Sequence, residues 1–214
     1  MTRSPSLCGI ILAAGDSTRM GRDKALLPWP PVANDPFTPL LETFLGAHIA
    51  ALRPHCDMVL VVGGKNSESL EPVVYTQAAF LLTNSAPELG QFSSLKIALQ
   101  EVLNRGRDSA IVSLVDRPPV KMATLARLHD AFLESVEKDG WGVVPQFEGK
   151  HGHPYFASRE LIEVLLRAPL TSTARDVMHG YESRLDFLEI EDPYITLNIN
   201  TPEDYAALVG ECAR

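Results

Sequence analysis

The sequence has few cysteines and no dense set of metal-binding residues. Only three of its 214 residues are cysteines, at positions 8, 56 and 212. An odd number of dispersed cysteines, without CxxC spacing or histidine-rich neighbours, is not the pattern of a disulfide framework or a zinc site. We interpret Cys8, Cys56 and Cys212 as small core or surface residues.

Long hydrophobic runs and an excess of positive charge are also missing. No apolar run approaches the roughly 20 residues that span a bilayer, and the six residues before the first apolar run are too few for a signal peptide. The net charge of −8 is opposite to the basic surface that binds a nucleic-acid backbone. We expect a cytoplasmic protein that binds neither nucleic acid nor membrane.

The sequence does contain a regular alternation of strand and helix patterns. Apolar runs that end in glycine or an acid, such as residues 7–14, 57–64 and 110–116, are typical of strands buried in a parallel sheet. Amphipathic helical patterns lie between them. The alternation predicts an α/β fold with a mostly parallel sheet, in a single domain over residues 1–214.

Two of the helix boundaries can be predicted from capping and proline positions. The first helix is predicted to begin with Thr38 as its N-cap and Pro39 at its first position. The second is predicted to be interrupted at Pro72, because proline lacks the backbone N–H that a helix interior uses.

Ligands of such sheets bind at the carboxyl ends of the strands, where the strand order reverses. The loop of residues 15–24 follows the first strand, and Asp116 ends a later one. We therefore expect these two segments to face each other across one pocket, which would join a cationic loop to a carboxylate.

The loop after the first strand has the composition of an anion site. Gly15 and Gly21 permit backbone conformations that turn N–H groups toward an anion, and hydroxyl and basic side chains follow closely; these are Ser17, Thr18, Arg19, Arg22 and Lys24. A solvated loop with incidental basic residues is the alternative. The spacing matches neither a P-loop nor a GxGxxG fingerprint.

The segment LAAGDSTRMGRDK, residues 12–24, resembles the signature LAAGxSxRMGxxK of the MobA-like nucleoside-triphosphate transferases. This family includes molybdenum cofactor guanylyltransferases and cytidylyltransferases. Four further segments resemble family elements in the same order: Gly90–Leu99, Leu114–Val120, Gly152–Leu161 and Asn198–Leu208. The resemblance covers roughly residues 7–209. It implies a Rossmann-like α/β/α sandwich of the nucleotide-diphospho-sugar transferase type, with a nucleotide-binding part over roughly 7–120 and an acceptor side over roughly 121–209.

The resemblance implies that a phosphate of an acceptor attacks the α-phosphorus of a nucleoside triphosphate, with Mg²⁺ as cofactor. Arg19 would bind the β and γ phosphates and Lys24 the α-phosphate, and with Asp116 they form the expected catalytic set. Asp116 and Asn200 would meet the metal, and His153 and Asn198 the acceptor. The expected nucleotide-binding residues are Leu12, Ala13, Ala14, Gly15, Ser17, Arg19, Lys24, Gly90, Ser93 and Ser94.

Each of these residues also has a structural interpretation. Asp116 could serve an Asp-x-Pro turn, Ser93 could be the N-cap of a helix, and Asn198 and Asn200 could be turn residues before the closing helix. Many relatives have Asp at the last two positions, which leaves open which asparagine meets the metal.

The acceptor implied by the resemblance is molybdopterin, with a molybdoenzyme or its maturation factor as a further partner. CTP is favoured over GTP because Ala14 stands where guanylyltransferases of the family tend to have glycine. The alternatives are a sugar phosphate or another phosphorylated metabolite as acceptor, and a non-catalytic nucleotide-binding module. Two departures from the family, a proline-rich insert over 28–39 and a partial match near Arg175, lie on the expected acceptor side.

Overall fold

The computed structural model describes residues 5–31, 39–40 and 42–212. Within these ranges the chain forms eight strands and seven helices. The strands are β1 (Leu7–Leu12), β2 (Met58–Gly63), β3 (Phe80–Thr83), β4 (Ser109–Leu114), β5 (Gly142–Phe147), β6 (Lys150–His151), β7 (Tyr155–Ala157) and β8 (Leu185–Glu189). The helices are α1 (Phe44–Leu52), α2 (Ser67–Thr76), α3 (Gln91–Asn104), α4 (Met122–Glu137), α5 (Arg159–Arg167), α6 (Ala174–His179) and α7 (Pro202–Cys212).

The strands form one sheet of mostly parallel strands in the order β3-β2-β1-β4-β7-β5-β6, with β8 paired to β5. β7 runs antiparallel to both β4 and β5, and β6 is antiparallel to β5. β1 lies between two parallel neighbours, so that Ile10 is in register with Leu60 on one side and with Val112 on the other. The strand order therefore reverses at β1, and the predicted α/β fold with a mostly parallel sheet is confirmed.

Helices cover both faces of the sheet because alternate residues of the buried strands point to opposite sides. Leu7 and Ile11 pack with α1, α2, α4 and α7 on one face. Ile10 and Leu12 pack with α3 and α5 on the other face. The result is the three-layer α/β/α sandwich that the sequence predicts.

The predicted start of the first helix is wrong. α1 begins at Phe44, and Thr43 is its N-cap, whose Oγ1 accepts a hydrogen bond of 3.0 Å from the Gly46 N–H. Pro39 lies outside the helix, and Thr38 lies outside the described residues. The segment before α1 is instead paired with the loop after β1, since Trp29 N–H donates to the carbonyl of Glu42 at 2.8 Å.

The predicted interruption at Pro72 is also wrong, because α2 runs unbroken through this residue. Proline removes one hydrogen bond, to the carbonyl of Glu68, which lies in the exposed first turn of the helix and can be solvated. Burial of the apolar face holds the helix in place; this face consists of Leu70, Val73 and Val74.

Helix α6 was not predicted, although its start carries a recognisable signal. Thr173 and Asp176 form a capping box, in which each side chain accepts a hydrogen bond from the other residue's backbone N–H. Among the described residues, none of the helices has both the length and the apolar character that crossing a membrane requires.

Two glycines provide a test of this packing. A Cβ at Gly142 would lie 2.5 Å from the carbonyl oxygen of Phe156, whereas a Cβ at Gly210 in α7 would meet nothing within 4 Å. We expect Gly142→Ala to destabilise the protein by about 1–3 kcal/mol, as overpacking does. Gly210→Ala should raise the unfolding free energy by about 0.5–1 kcal/mol because it reduces backbone entropy in the unfolded chain.

Urea unfolding followed by circular dichroism measures both changes. Equal effects of the two substitutions would contradict the close approach of β5 and β7 at Gly142.

Candidate active site

Three side chains from distant parts of the sequence meet beside β1. Lys24, on the loop after β1, donates a hydrogen bond of 3.0 Å from Nζ to Oδ1 of Asn200. The same Nζ lies 4.0 Å from Oδ2 of Asp116, just after β4. Lys24 and Asp116 are adjacent at the point of strand reversal, as predicted, whereas a single pocket shared by the loop and Asp116 stays a prediction.

Asp116 is anchored through its backbone, and its carboxylate is incompletely paired among the described residues. Its backbone carbonyl accepts a hydrogen bond of 2.7 Å from the Ile199 N–H, which fixes the segment containing Asn200 beside it. Its Oδ1 is inaccessible to solvent and accepts no hydrogen bond from the described residues. A buried carboxylate oxygen without a donor is a position where a cation or a ligand donor would be expected.

The donor set fits Mg²⁺ with few protein ligands. No group of three or more histidine, cysteine or acidic side chains in the described ranges could hold a metal. Magnesium commonly takes one or two carboxylates and completes its shell with water and substrate phosphates. The carboxylate of Asp116 and the amide oxygen of Asn200 are the groups that would hold the ion. The Asn200 oxygen already accepts a hydrogen bond from Lys24.

The loop after β1 is folded tightly around Ser17. The φ of Ser17 is 49°, in the left-handed region. The Ser17 carbonyl accepts hydrogen bonds from the N–H groups of Met20 (3.0 Å) and Gly21 (3.2 Å). Its hydroxyl accepts from the Lys24 N–H at 3.2 Å. Ser17 therefore shapes the loop that presents Lys24, whichever ligand the loop binds.

Asn66, which the sequence analysis did not single out, connects three segments of the site. Its side-chain amide donates to the carbonyl of Ala13 at 3.0 Å and to Oδ2 of Asp23 at 2.6 Å. Its Oδ1 accepts from the Gly64 N–H at 3.0 Å. The only sequence signal was its position two residues after the glycine pair, Gly63 and Gly64, at the end of β2.

The backbone at the end of β1 changes from paired to unpaired within two residues. The carbonyl of Leu12 accepts from Val115 N–H, and Ala13 N–H donates to Val62. Ala14 and Gly15 follow; Ala14 is half-buried and Gly15 is exposed. Of the expected nucleotide-binding residues here, Ala14 and Gly15 are the ones placed to offer backbone groups to a ligand.

Ser93 and Ser94 are placed at the start of α3 with their hydroxyls already engaged. Asn84 donates to Ser93 Oγ at 2.8 Å and to Ser94 Oγ at 2.9 Å. Ser93 also donates to the carbonyl of Gly90, whose φ is +92°. Gly90 is the N-cap, so the alternative of Ser93 as N-cap is wrong. Direct contact of either serine with a nucleoside stays a prediction.

Arg19 is an exposed residue of the loop after β1 and lies near the start of α7. Hydrogen bonds from the backbone N–H groups of Asn200 and Thr201 lower the pKa of Asp204, and the charge of Arg19 lowers it further. This places Arg19 on the side of the site where Asn200 lies. Its phosphate-binding role stays a prediction.

A cavity of about 670 Å³ lies on the other side of Asp116 and contains both residues expected to bind the acceptor, His153 and Asn198. Asn198 is exposed, whereas Nδ1 of His153 is buried and has no partner among the described residues. The two asparagines are thus separated: Asn200 contacts Lys24, and Asn198 lines the cavity.

A buried histidine supports the chain beneath this cavity. Nε2 of His48 lies 2.9 Å from the carbonyl of Arg117, and Nδ1 lies 3.1 Å from Oγ of Ser113. Burial lowers the pKa of His48 to about 4, against opposing effects of the Arg117 carbonyl and of Asp116. The neutral ring therefore bridges β4 and the residue that follows Asp116.

A family model for the MobA-like NTP transferase domain matches residues 9–185. The chain belongs to this family. The match includes the loop after β1, Asp116 and His153, which the structure places along one edge of the sheet.

Curated relatives and a solved structure agree with this assignment. The chain is 32% identical over 131 residues to a probable molybdenum cofactor guanylyltransferase of Rhodopirellula baltica; the match covers 61% of this chain and 58%, less than two thirds, of that protein. It is 26% identical over 198 residues to the molybdenum cofactor cytidylyltransferase of Escherichia coli, covering 92% of each. The structure of Rv0371c from Mycobacterium tuberculosis is similar with a TM-score of 0.77 and 25% identity, over 98% of this chain and all of that one.

These findings confirm the predicted family and its enzyme class, the nucleotidyltransferases. The identity of the nucleotide, the metal, the acceptor and the role of each site residue stay predictions for this MobA-like domain.

The buried His48 provides a pH test of the site's support. Because its pKa is lower in the folded than in the unfolded protein, the unfolded state binds more protons and stability falls as pH drops from about 6.5 toward 4. The loss attributable to His48 should be about 3 kcal/mol. His48→Gln should flatten this part of the profile.

Unfolding free energies measured in urea between pH 4 and 7 give the profile. A wild-type slope retained in His48→Gln would rule out the neutral buried bridge.

Proposed function

We propose that the protein is a Mg²⁺-dependent nucleotidyltransferase that transfers CMP from CTP to the phosphate of molybdopterin and releases pyrophosphate. The observation that carries the proposal is the meeting of Lys24, Asp116 and Asn200 beside the glycine-containing loop. A cation and a carboxylate held beside this loop support binding of a triphosphate together with a metal ion.

The reaction needs positioning and charge neutralisation rather than a covalent enzyme intermediate. An oxygen of the acceptor phosphate bonds to the α-phosphorus, and the bond from that phosphorus to the oxygen bridging to the β-phosphate breaks. Lys24 holds the α-phosphate, and Arg19 binds the β and γ phosphates through its planar fork. When bound to Asp116 and Asn200, Mg²⁺ would neutralise charge on the leaving pyrophosphate.

CTP is proposed because of the residue at position 14. Ala14 is half-buried at the exit of β1, and its carbonyl oxygen would lie 2.8 Å from a Cβ at position 64. Gly64 thus packs closely behind Ala14 and leaves it little room to retreat from a large base. The relative matched over 92% of this chain is a cytidylyltransferase, which supports the same choice.

Molybdopterin is proposed as acceptor because curated relatives of both types are named for transfer to the molybdenum cofactor. A finished dinucleotide would then pass to a molybdoenzyme or its maturation factor. The cavity lined by His153 and Asn198 is large enough for such a ligand, at about 670 Å³. A sugar phosphate as acceptor and a non-catalytic binding role are the competing outcomes of the test.

Asp116→Asn tests the catalytic assignment. We expect its turnover of CTP with molybdopterin to fall by roughly 100-fold or more, because the carboxylate charge that would hold Mg²⁺ is lost. Asp130→Asn, an exposed residue of α4, should retain wild-type activity. Pyrophosphate release measures turnover, and calorimetric titration with CTP, GTP, ATP and UTP, with and without Mg²⁺, measures binding.

Full activity of Asp116→Asn would contradict the mechanism. Turnover with a sugar phosphate instead of molybdopterin would change the acceptor and keep the chemistry. Nucleotide binding without turnover of either acceptor would favour a binding module.

Ala14→Gly tests the choice of base. Removing the methyl group should raise kcat/KM for GTP by about tenfold relative to that for CTP, which is the range expected for one methyl in a binding pocket. Competition between the two nucleotides in one assay gives the ratio directly. An unchanged ratio would refute the steric account of base selection.

A further inference from the structure

The cavity beyond Asp116 contains a cluster of basic and neutral nitrogen groups, formed by Arg117, His153 and Arg175, which we call the basic cluster. Burial, together with the charges of Arg117 and Arg175, lowers the pKa of His153 to about 3. Both guanidinium groups therefore act on the same buried ring. A neutral histidine between two positive charges leaves the cluster with a net positive charge.

Arg117 has part of its hydrogen-bonding capacity unused. Its Nη1 donates to the carbonyl of Ile195 at 2.8 Å, which holds the side chain along the cavity wall. Its Nε is buried and has no acceptor within the described ranges. The hydroxyl of Tyr155, in the same cavity, is likewise buried without a described partner. Buried polar groups left in this way indicate a site built for a polar ligand.

The acidic residues that line this cavity, Asp176 and Glu182, each have a hydrogen-bond partner among the described residues. Asp176 accepts from the hydroxyl of Thr173 at 2.7 Å, and Glu182 lies 2.6 Å from Nδ1 of His179. Asp116 is the acid whose charge acts on Arg117. A dianionic ligand would therefore meet the guanidinium donors of Arg117 and Arg175 next to the proposed metal carboxylate.

A second part of the cavity wall is aromatic. The rings of His151 and Phe187 are stacked, with centroids 4.7 Å apart and planes inclined by 21°. Both residues are fixed on strands that pair with β5, where His151 is opposite Gln146 and Phe187 opposite Val144. The cavity thus combines a flat ring surface with a positive cluster.

We propose that Arg117, together with Arg175, binds the phosphate group of the acceptor, and that the stacked pair of His151 and Phe187 contacts a planar ring of the same molecule. The ligand class is a planar heteroaromatic compound carrying a phosphate monoester. This inference rests on the proposed function for the acceptor side. It makes Arg117, the middle residue of the Asp-x-Pro element, a residue that selects the acceptor and brings its phosphate beside Asp116.

The test uses two stable probes, 6-hydroxymethylpterin and its phosphate monoester, titrated into the full chain and followed by quenching of pterin fluorescence. The wild type should bind the phosphate form at least tenfold more tightly than the alcohol, as expected for a charge-assisted bidentate contact. Arg117→Met should lower that ratio by about threefold or more, because Arg175 then remains as the single guanidinium for the phosphate. Arg117→Lys, which keeps the charge and loses the planar fork, should give an intermediate ratio.

Two further variants separate the ring from the phosphate. His151→Ala should weaken both probes by the same factor, about threefold or more, and leave their ratio unchanged. Lys138→Met, an exposed lysine at the end of α4 that does not line the cavity, should change neither affinity by more than twofold. An unchanged affinity for CTP shows that each variant is folded.

Equal affinity of the wild type for the two probes, or an unchanged ratio in Arg117→Met, would overturn the phosphate assignment. If neither pterin binds while CTP still binds with Mg²⁺, the proposed ligand class is wrong and the nucleotide part of the proposed function stands. If the phosphate preference is present and CTP does not bind, the proposed function fails and the Arg117 subsite stands.

Discussion

The constraint on which the rest of the site depends is the hydrogen bonding of β1 to a parallel strand on each side. Because β2 and β4 run in the same direction as β1, their connections leave from the same edge of the sheet. The Lys24 loop and Asp116 are thereby brought within reach, although 92 residues separate them in sequence. The hydrogen bond from Ile199 N–H to the Asp116 carbonyl then adds the chain's closing segment.

Much of the fold could be predicted because its signals are local and repeated. Apolar runs followed by glycine identified β1 and β2. The acid that follows β4 identified the carboxyl end of that strand. The first helix start could not be predicted because the segment before it pairs with the loop after β1 through a contact between Trp29 and Glu42. That pairing is not encoded in the local pattern, which offered Thr38 as an equally good cap. Antiparallel β7, a three-residue strand, gave no periodic signal at all.

The site was predictable to the extent that its residues lie in recognisable segments. Lys24, Asp116 and Asn200 were expected together and lie together. The residues that support them were not expected. The side chain of Asn66 donates a hydrogen bond to the backbone carbonyl of Ala13, which is distant in sequence, and His48 contacts the backbone carbonyl of Arg117. The roles of such residues come from tertiary contacts, and no motif or characteristic spacing in the sequence identifies them. The serines at the start of α3 show the opposite case, since a recognisable segment supplies side chains that hold a turn together.

The amide of Asn66 has a consequence for how strongly the site can bind. By tying Ala13, Asp23 and Gly64 to one side chain, it makes the exits of two strands and the base of the loop into a single rigid unit. A loop ordered before its ligand arrives loses less conformational entropy on binding than one ordered by the ligand. For the triphosphate proposed as ligand, part of the entropic cost of ordering this loop is therefore met when the chain folds, and charge alone would not set the affinity.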